Sequence, residues 1–137
     1  MGYMNPMENK KLMTYGILKR GLELDLTNYD AEFLGECYIE GASLFGIGPI
    51  GGGKFRGVGL RLTRDKEIAY GELWDIPDEL WDWLDGIEQN GRVYTRKIVP
   101  VCLWDEQEAV DKVVDAWVYE HCFKDFRYTD KIEGGRF

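Results

Sequence analysis

The stretch IAYGELWDIPDELWDWLDGIE, residues 68–88, changes its period half-way, and that change sorts the rest of the chain. Ile68 to Ile76 reads as an extended strand. Pro77 then suits a first helical turn, because its fixed φ is preorganised for a helix and its missing N–H leaves no donor unsatisfied there. Asp78 and Glu79 follow, where carboxylates favour the N-terminal end of the helix dipole. Leu80, Leu84 and Ile87 make an apolar stripe at helical spacing, and Asn90-Gly91 ends the helix.

Elsewhere the dominant period is two. Leu12 to Tyr15 is a short buried strand that stops at Gly16. Phe33 to Ile39 and Ala42 to Ile47 are two more, separated by a tight turn at Glu40-Gly41. Val58, Leu60 and Leu62 alternate with Gly59, Arg61 and Thr63, and Arg64 to Glu67 turns the chain into Ile68. Val93 to Trp104 and Val113 to His121 are two long strands joined by an acidic loop, Asp105 to Asp111. Many strands with one helix predict an antiparallel-rich α+β domain, a barrel with the helix set against an opening.

The chain has 137 residues, one domain's worth, with five Trp and eight Tyr to build a core. Residues 1–11 read as a short mobile lead-in: they are polar, with Pro6 and Glu8, and lack the apolar run of a signal peptide. A net charge of -8 argues against a nucleic-acid partner, since phosphate binding needs a basic face. No apolar run approaches the roughly 20 residues of a membrane span, so no membrane partner is expected. Cys37, Cys102 and Cys122 are widely spaced and form no CxxC pair, which suggests reduced thiols of a cytoplasmic protein rather than disulfides or a zinc site. His121 is the only histidine. It leaves a Cys–His dyad as the one His-based nucleophile, and an ordinary strand-end side chain as the expected reading.

Two nucleotide-binding patterns fail on context. Gly46 to Gly51 matches GxGxxG, with Glu67 near the spacing of a ribose-binding acid, but three glycines and another strand follow where a helix should begin. Gly48 to Lys54 fits the start of a P-loop, yet Phe55 stands where Ser or Thr should hold magnesium. A glycine-rich loop joining two strands is the better account.

Chemistry enters at two other places. Tyr15-Gly16-Ile17-Leu18-Lys19-Arg20-Gly21 follows the first strand directly, and such a turn aims successive backbone N–H groups at one point, a nest for a carboxylate. Leu84-Asp85-Gly86-Ile87-Glu88 ends the helix, where the dipole disfavours a carboxylate by roughly a few tenths of a kcal/mol. Asp75, Asp78, Glu79, Asp82 and Asp85 read as a solvated acidic face, and Glu88 on its own reads as one more of them.

Taken in order, these segments resemble the gamma-glutamylcyclotransferase-like proteins, and most of all their gamma-glutamylamine cyclotransferase branch. Tyr15 to Gly21 is similar to that branch's substrate loop, and Leu84 to Glu88 with Tyr94 and Arg96 to its catalytic segment. Gly71-Glu72-Leu73-Trp74 is similar to the passage into the helix. Ala116-Trp117-Val118-Tyr119 is similar to a late strand, and Ile132 to Gly135 to the closing turn. The resemblance spans residues 12–137 and implies a small mixed, antiparallel-rich barrel with one main helix. It also implies release of 5-oxoproline from a small gamma-glutamyl substrate. By position, Tyr15, Gly16, Ile17 and Leu18 would hold the glutamyl head, Glu88 would be the acid/base and Tyr119 would contact substrate. Ile17 departs from the family's usual Ser or Thr; if the position acts through its backbone N–H, Ile serves.

The implied reaction needs little apparatus. The substrate's own amine attacks its own γ-carbonyl, so the enzyme holds a folded-back conformer and moves a proton, with no cofactor or metal. Three other readings stand beside it: a binding or regulatory module of this fold without turnover, an enzyme of this fold acting on another acyl amide, and an interaction protein using Trp81 and Trp83 on an exposed acidic helix.

Overall fold

A computed structural model describes residues 10–16, 25–48, 57–63, 66–88, 91, 94–105, 107–122, 127–131 and 135. In chain order the elements are β1 (Lys11–Thr14), a 3-10 turn (Leu26–Tyr29), β2 (Glu32–Glu40), β3 (Ala42–Gly48), β4 (Gly57–Leu62), β5 (Ile68–Asp75), a second 3-10 turn (Asp78–Leu80), α1 (Trp81–Glu88), β6 (Tyr94–Asp105), β7 (Val110–His121) and β8 (Arg127–Lys131). Five strands close a barrel in the order β1-β5-β2-β6-β7, and β4-β3-β8 form a second sheet. The barrel is mixed. β7 returns to β1 through a parallel bridge, Leu12 opposite Trp117, while its other pairings are antiparallel.

The period of two sorts side chains into two cores on either side of the barrel wall. Met13, Tyr15, Cys37, Ile39, Leu73, Val101, Ala116 and Val118 fill the interior, joined by Leu44, Val58 and Leu60 from the second sheet. Leu12, Leu26, Trp74, Ile76, Leu84 and Tyr119 form a second cluster, where α1 and the first 3-10 turn cover the outside of the wall. Phe33 belongs with the outer cluster although Cys37 and Ile39 face inward. The slip in register between Phe33 and Gly35 is a bulge that reverses the facing of β2 at that point.

Several expectations need correction. Glu40-Gly41 does not make a hairpin. Gly41, at φ 80°, turns the chain out of the barrel and into the second sheet, a conformation that favours glycine. The corner is pinned because Gly41 N–H donates to Glu67 O at 2.7 Å and Thr63 N–H donates to Gly41 O at 2.7 Å. The acidic loop after β6 is shorter than expected, since its two ends belong to strands: β6 runs to Asp105 and β7 starts at Val110. β8 was not expected, because Arg-Tyr-Thr-Asp-Lys carries no apolar alternation; it is held by pairing with β3.

Pro77 keeps an extended backbone (φ -65°, ψ 146°) and stands just before the 3-10 turn rather than within a helical turn. Ile87 leaves the apolar stripe and is 37% exposed, while Leu84 is fully buried in the outer cluster, against which Leu80, Trp81 and Trp83 also pack. Trp83 stacks on Tyr29 and Trp81 meets Trp117 edge-on, so neither indole serves as an exposed docking residue. The GxGxxG pattern begins inside β3 and the chain returns as the antiparallel β4, which is not a strand-to-helix turn.

Candidate functional site

The site is built where β1 and β7 part. Beyond the Leu12–Trp117 bridge the two strands are joined through the buried Tyr15 side chain, 6% exposed. Its hydroxyl donates to Tyr119 O at 2.6 Å and accepts from Leu60 N–H at 3.3 Å, tying the end of β1 to β7 and β4. One residue earlier, Thr14 Oγ1 accepts from Trp74 Nε1 at 3.1 Å and donates to Glu72 O at 3.4 Å. Gly71 lets β5 lie this close, since a Cβ there would stand 2.3 Å from Thr14 O. The chain therefore leaves β1 at Gly16 from a position fixed on three sides. Tyr15 and Gly16 of the expected substrate loop are so placed, while Ile17 and Leu18 lie outside the described residues.

The second half of the site is the end of α1, whose last residue is Glu88. Three residues earlier, the Asp85 carboxylate accepts from the Tyr119 hydroxyl on Oδ1 at 2.6 Å and meets Arg96 Nη2 on Oδ2 at 3.3 Å. Asp85 is thus no part of a solvated face, unlike exposed Asp82. Its side chain is 26% exposed and that of Arg96 16%. The Arg96 guanidinium lies 4.6 Å from the centre of the Trp81 ring and 4.5 Å from that of Trp117. Cation–π contacts of this sort contribute roughly 0.5–2 kcal/mol each, and they fix the plane in which the guanidinium meets its carboxylate.

This pairing was legible in part. Arg96 alternates with Tyr94 and Ile98 on a strand face of aromatic and apolar residues, and a cation there calls for an anion. Which of the helix acids answers it depends on the tertiary register of α1, which spacing alone does not set. Tyr119, expected to touch substrate, is 3% exposed and opposite Arg96 in the β6–β7 register. It links both halves: its carbonyl takes the Tyr15 hydroxyl and its own hydroxyl goes to Asp85. Tyr94 adds a further tie, its hydroxyl donating to Val58 O at 3.0 Å.

His121, Cys122 and Cys37 are each engaged by the fold itself. His121 is 1% exposed and lies edge-on to Tyr94; burial, and then the Arg61 cation, hold its pKa below the usual histidine value. Cys122 accepts from Thr95 Oγ1 at 3.1 Å. Burial, then the Glu72 carboxylate, pushes the Cys37 thiol well above the reactive range. Among the described residues no group of three or more His, Cys, Asp or Glu could hold a metal ion, and no helix is long and apolar enough to cross a membrane.

Comparison with known proteins fits this architecture. An uncharacterised protein from Pyrococcus horikoshii superposes with a TM-score of 0.63 at 22% identity, over 93% of this chain and 88% of that one. An AIG2-like protein from Mus musculus gives 0.62 at 22% identity, over 82% and 77% of the two chains. A structure described as a gamma-glutamyl cyclotransferase gives 0.64 at 16% identity, over 86% and 68%. At these identities the likeness shows the fold. A comparison with curated protein sequences gives no match. The sequence itself matches the family described as "Gamma-glutamyl cyclotransferase, AIG2-like" over residues 12–137, nearly the whole chain. The chain belongs to the gamma-glutamyl cyclotransferase, AIG2-like family.

Proposed function

We propose that this protein is a gamma-glutamyl amine cyclotransferase, releasing 5-oxoproline and a free amine from a small gamma-glutamyl substrate. The observation that carries the reading is the meeting at Tyr119 of two segments far apart in sequence: the end of β1, which feeds the substrate loop, and the last turn of α1, which ends in Glu88. In this reading the loop from Tyr15 to Leu18 cradles the glutamyl carboxylate with backbone N–H groups. The Tyr15 phenol is already spent on Tyr119 and Leu60, so its contribution is to shape the loop.

The substrate amine arrives as an ammonium and cannot attack. Glu88, ionised, binds it and takes one proton; the freed amine attacks the γ-carbonyl carbon and a ring C–N bond forms. Backbone N–H groups steady the oxygen as charge develops on it. The tetrahedral centre then collapses, the original amide C–N bond breaks, the proton held by Glu88 passes to the departing nitrogen, and the ring nitrogen gives up its one remaining extra proton, which leaves with the free amine as an ammonium ion. Both bonds change within one bound molecule, so orientation supplies much of the acceleration.

A panel of gamma-glutamyl amines, dipeptides and ε-lysyl conjugates, assayed by mass for 5-oxoproline, tests the proposal. Turnover by the wild type and a loss of at least about 10²-fold in folded Glu88→Gln are expected, the amide being nearly isosteric but unable to take the proton. Binding without turnover across the panel would instead make the protein a binding module of this fold. Turnover with an undiminished Glu88→Gln would place the base elsewhere.

A further inference from the structure

We infer that Asp85, Arg96 and Tyr119 form a clamp that positions the end of α1, and that Tyr119 acts through Asp85 as a positioning residue. The inference rests on the reading of Glu88 as the acid/base. α1 has only eight residues, too few to hold its shape without tertiary support, and its last turn carries no basic residue to offset the dipole. Its apolar anchorage near that end is Leu84, fully buried, because Ile87 turns outward. The polar anchorage is Asp85. Its two carboxylate oxygens go to different strands, Oδ1 to Tyr119 on β7 and Oδ2 to Arg96 on β6, so rotation of the carboxylate sacrifices one partner or the other. Arg96 is itself held in place between Trp81 and Trp117.

The clamp reaches the other half of the site as well. Tyr119 receives the Tyr15 hydroxyl on its carbonyl, so one residue sets both the root of the substrate loop and the last turn of the helix. A substrate must be gripped by the first and lose its proton to the second, and a misplacement of about 1 Å can cost roughly a hundredfold in rate. Among the described residues, Arg96 approaches Asp85 from β6 and Tyr119 from β7, and Asp82 and Glu88 share its helix.

The test compares wild type, Tyr119→Phe, Asp85→Asn and Arg96→Met, with exposed Asp82→Asn as the control. The first three variants should lose roughly tenfold to a hundredfold in kcat while KM moves by less than about threefold, and the control should match wild type. The acid limb of the pH–rate profile gives a signature that packing alone would not. Asp85→Asn leaves the Arg96 cation unbalanced and should carry the limb to lower pH; Arg96→Met leaves the Asp85 carboxylate unbalanced and should carry it to higher pH. A raised KM at constant kcat in Tyr119→Phe would make Tyr119 a substrate contact and overturn the inference, as would limbs that do not separate. Hydrogen exchange at the amides of residues 84–88 decides the matter independently of turnover. If the wild type releases no 5-oxoproline, the functional reading fails, while faster exchange at this turn in Tyr119→Phe still supports the clamp and unchanged exchange overturns it.

Discussion

Gly16 is the residue whose side chain, or lack of one, separates folding from function most sharply. Its backbone is not in the left-handed region, and a Cβ there would meet only Val58 Cβ at 3.8 Å, ordinary contact. The fold therefore does not require glycine at this position. We predict that Gly16→Ala melts within about 0.5 kcal/mol of wild type, as benign surface changes do, but binds gamma-glutamyl compounds at least tenfold more weakly because backbone can no longer approach ligand closely. Calorimetric titration beside a denaturant melt checks both halves; full affinity in the variant would remove the loop from the substrate cradle. The cysteines offer the complementary case. Cys37 is buried with a raised pKa and Cys122 is engaged by Thr95, so Cys37→Ala, Cys102→Ser and Cys122→Ser together should leave most of the turnover, and a dead but folded triple variant would refute a thiol-free reaction.

At the level of strands and helix, Tyr15 is the joint between β1, β4 and β7. Tyr15→Phe keeps the ring in the interior and removes both hydrogen bonds, so a loss of about 1–3 kcal/mol is expected in urea unfolding. The same elements show how far the sequence could be read. The change from period two to helical spacing at Pro77 located β5 and the helix, because burial on one face writes itself into residue order. The roles proposed for Glu88 and the loop rest on short motifs in order, since one carboxylate at a helix end looks like any other. Less legible was whatever depends on contacts between distant segments. At Gly41 the sequence predicts a hairpin, because a glycine turn looks the same whether the next strand pairs with the last or leaves for another sheet. The Asp85 ion pair needed the packing angle of α1, and β8 exists only because β3 offers it an edge.

For the whole molecule, buried His121 sets one pH response. Burial lowers its pKa in the folded protein, so between that value and the ordinary unfolded value near 6.5 the unfolded chain binds more protons. Stability should be fully retained above about pH 6.5 and fall as pH drops below it, by at most about 1.4 kcal/mol per pH unit from this group. His121→Gln, compared with wild type in urea melts from pH 7 downward, should flatten the slope over this window; an unchanged slope would show that other groups control it.

The parallel bridge between Leu12 and Trp117 has a consequence in time rather than in space. The two strands it joins lie near opposite ends of the chain, whereas the β6–β7 hairpin pairs strands that follow each other directly. Local pairings form within microseconds, but contacts that span most of a chain must first meet the entropy of closing that loop. The hairpin can form early and the barrel close late, once β1 has found both β5 and β7. Such a route gives the protein the slow folding of a high-contact-order topology. It also confines the kinetic effect of Leu12→Ala to the unfolding limb of a chevron plot: unfolding should accelerate while the refolding rate barely moves, whereas a matching drop in refolding would mean that the ends of the chain meet before the hairpin is made.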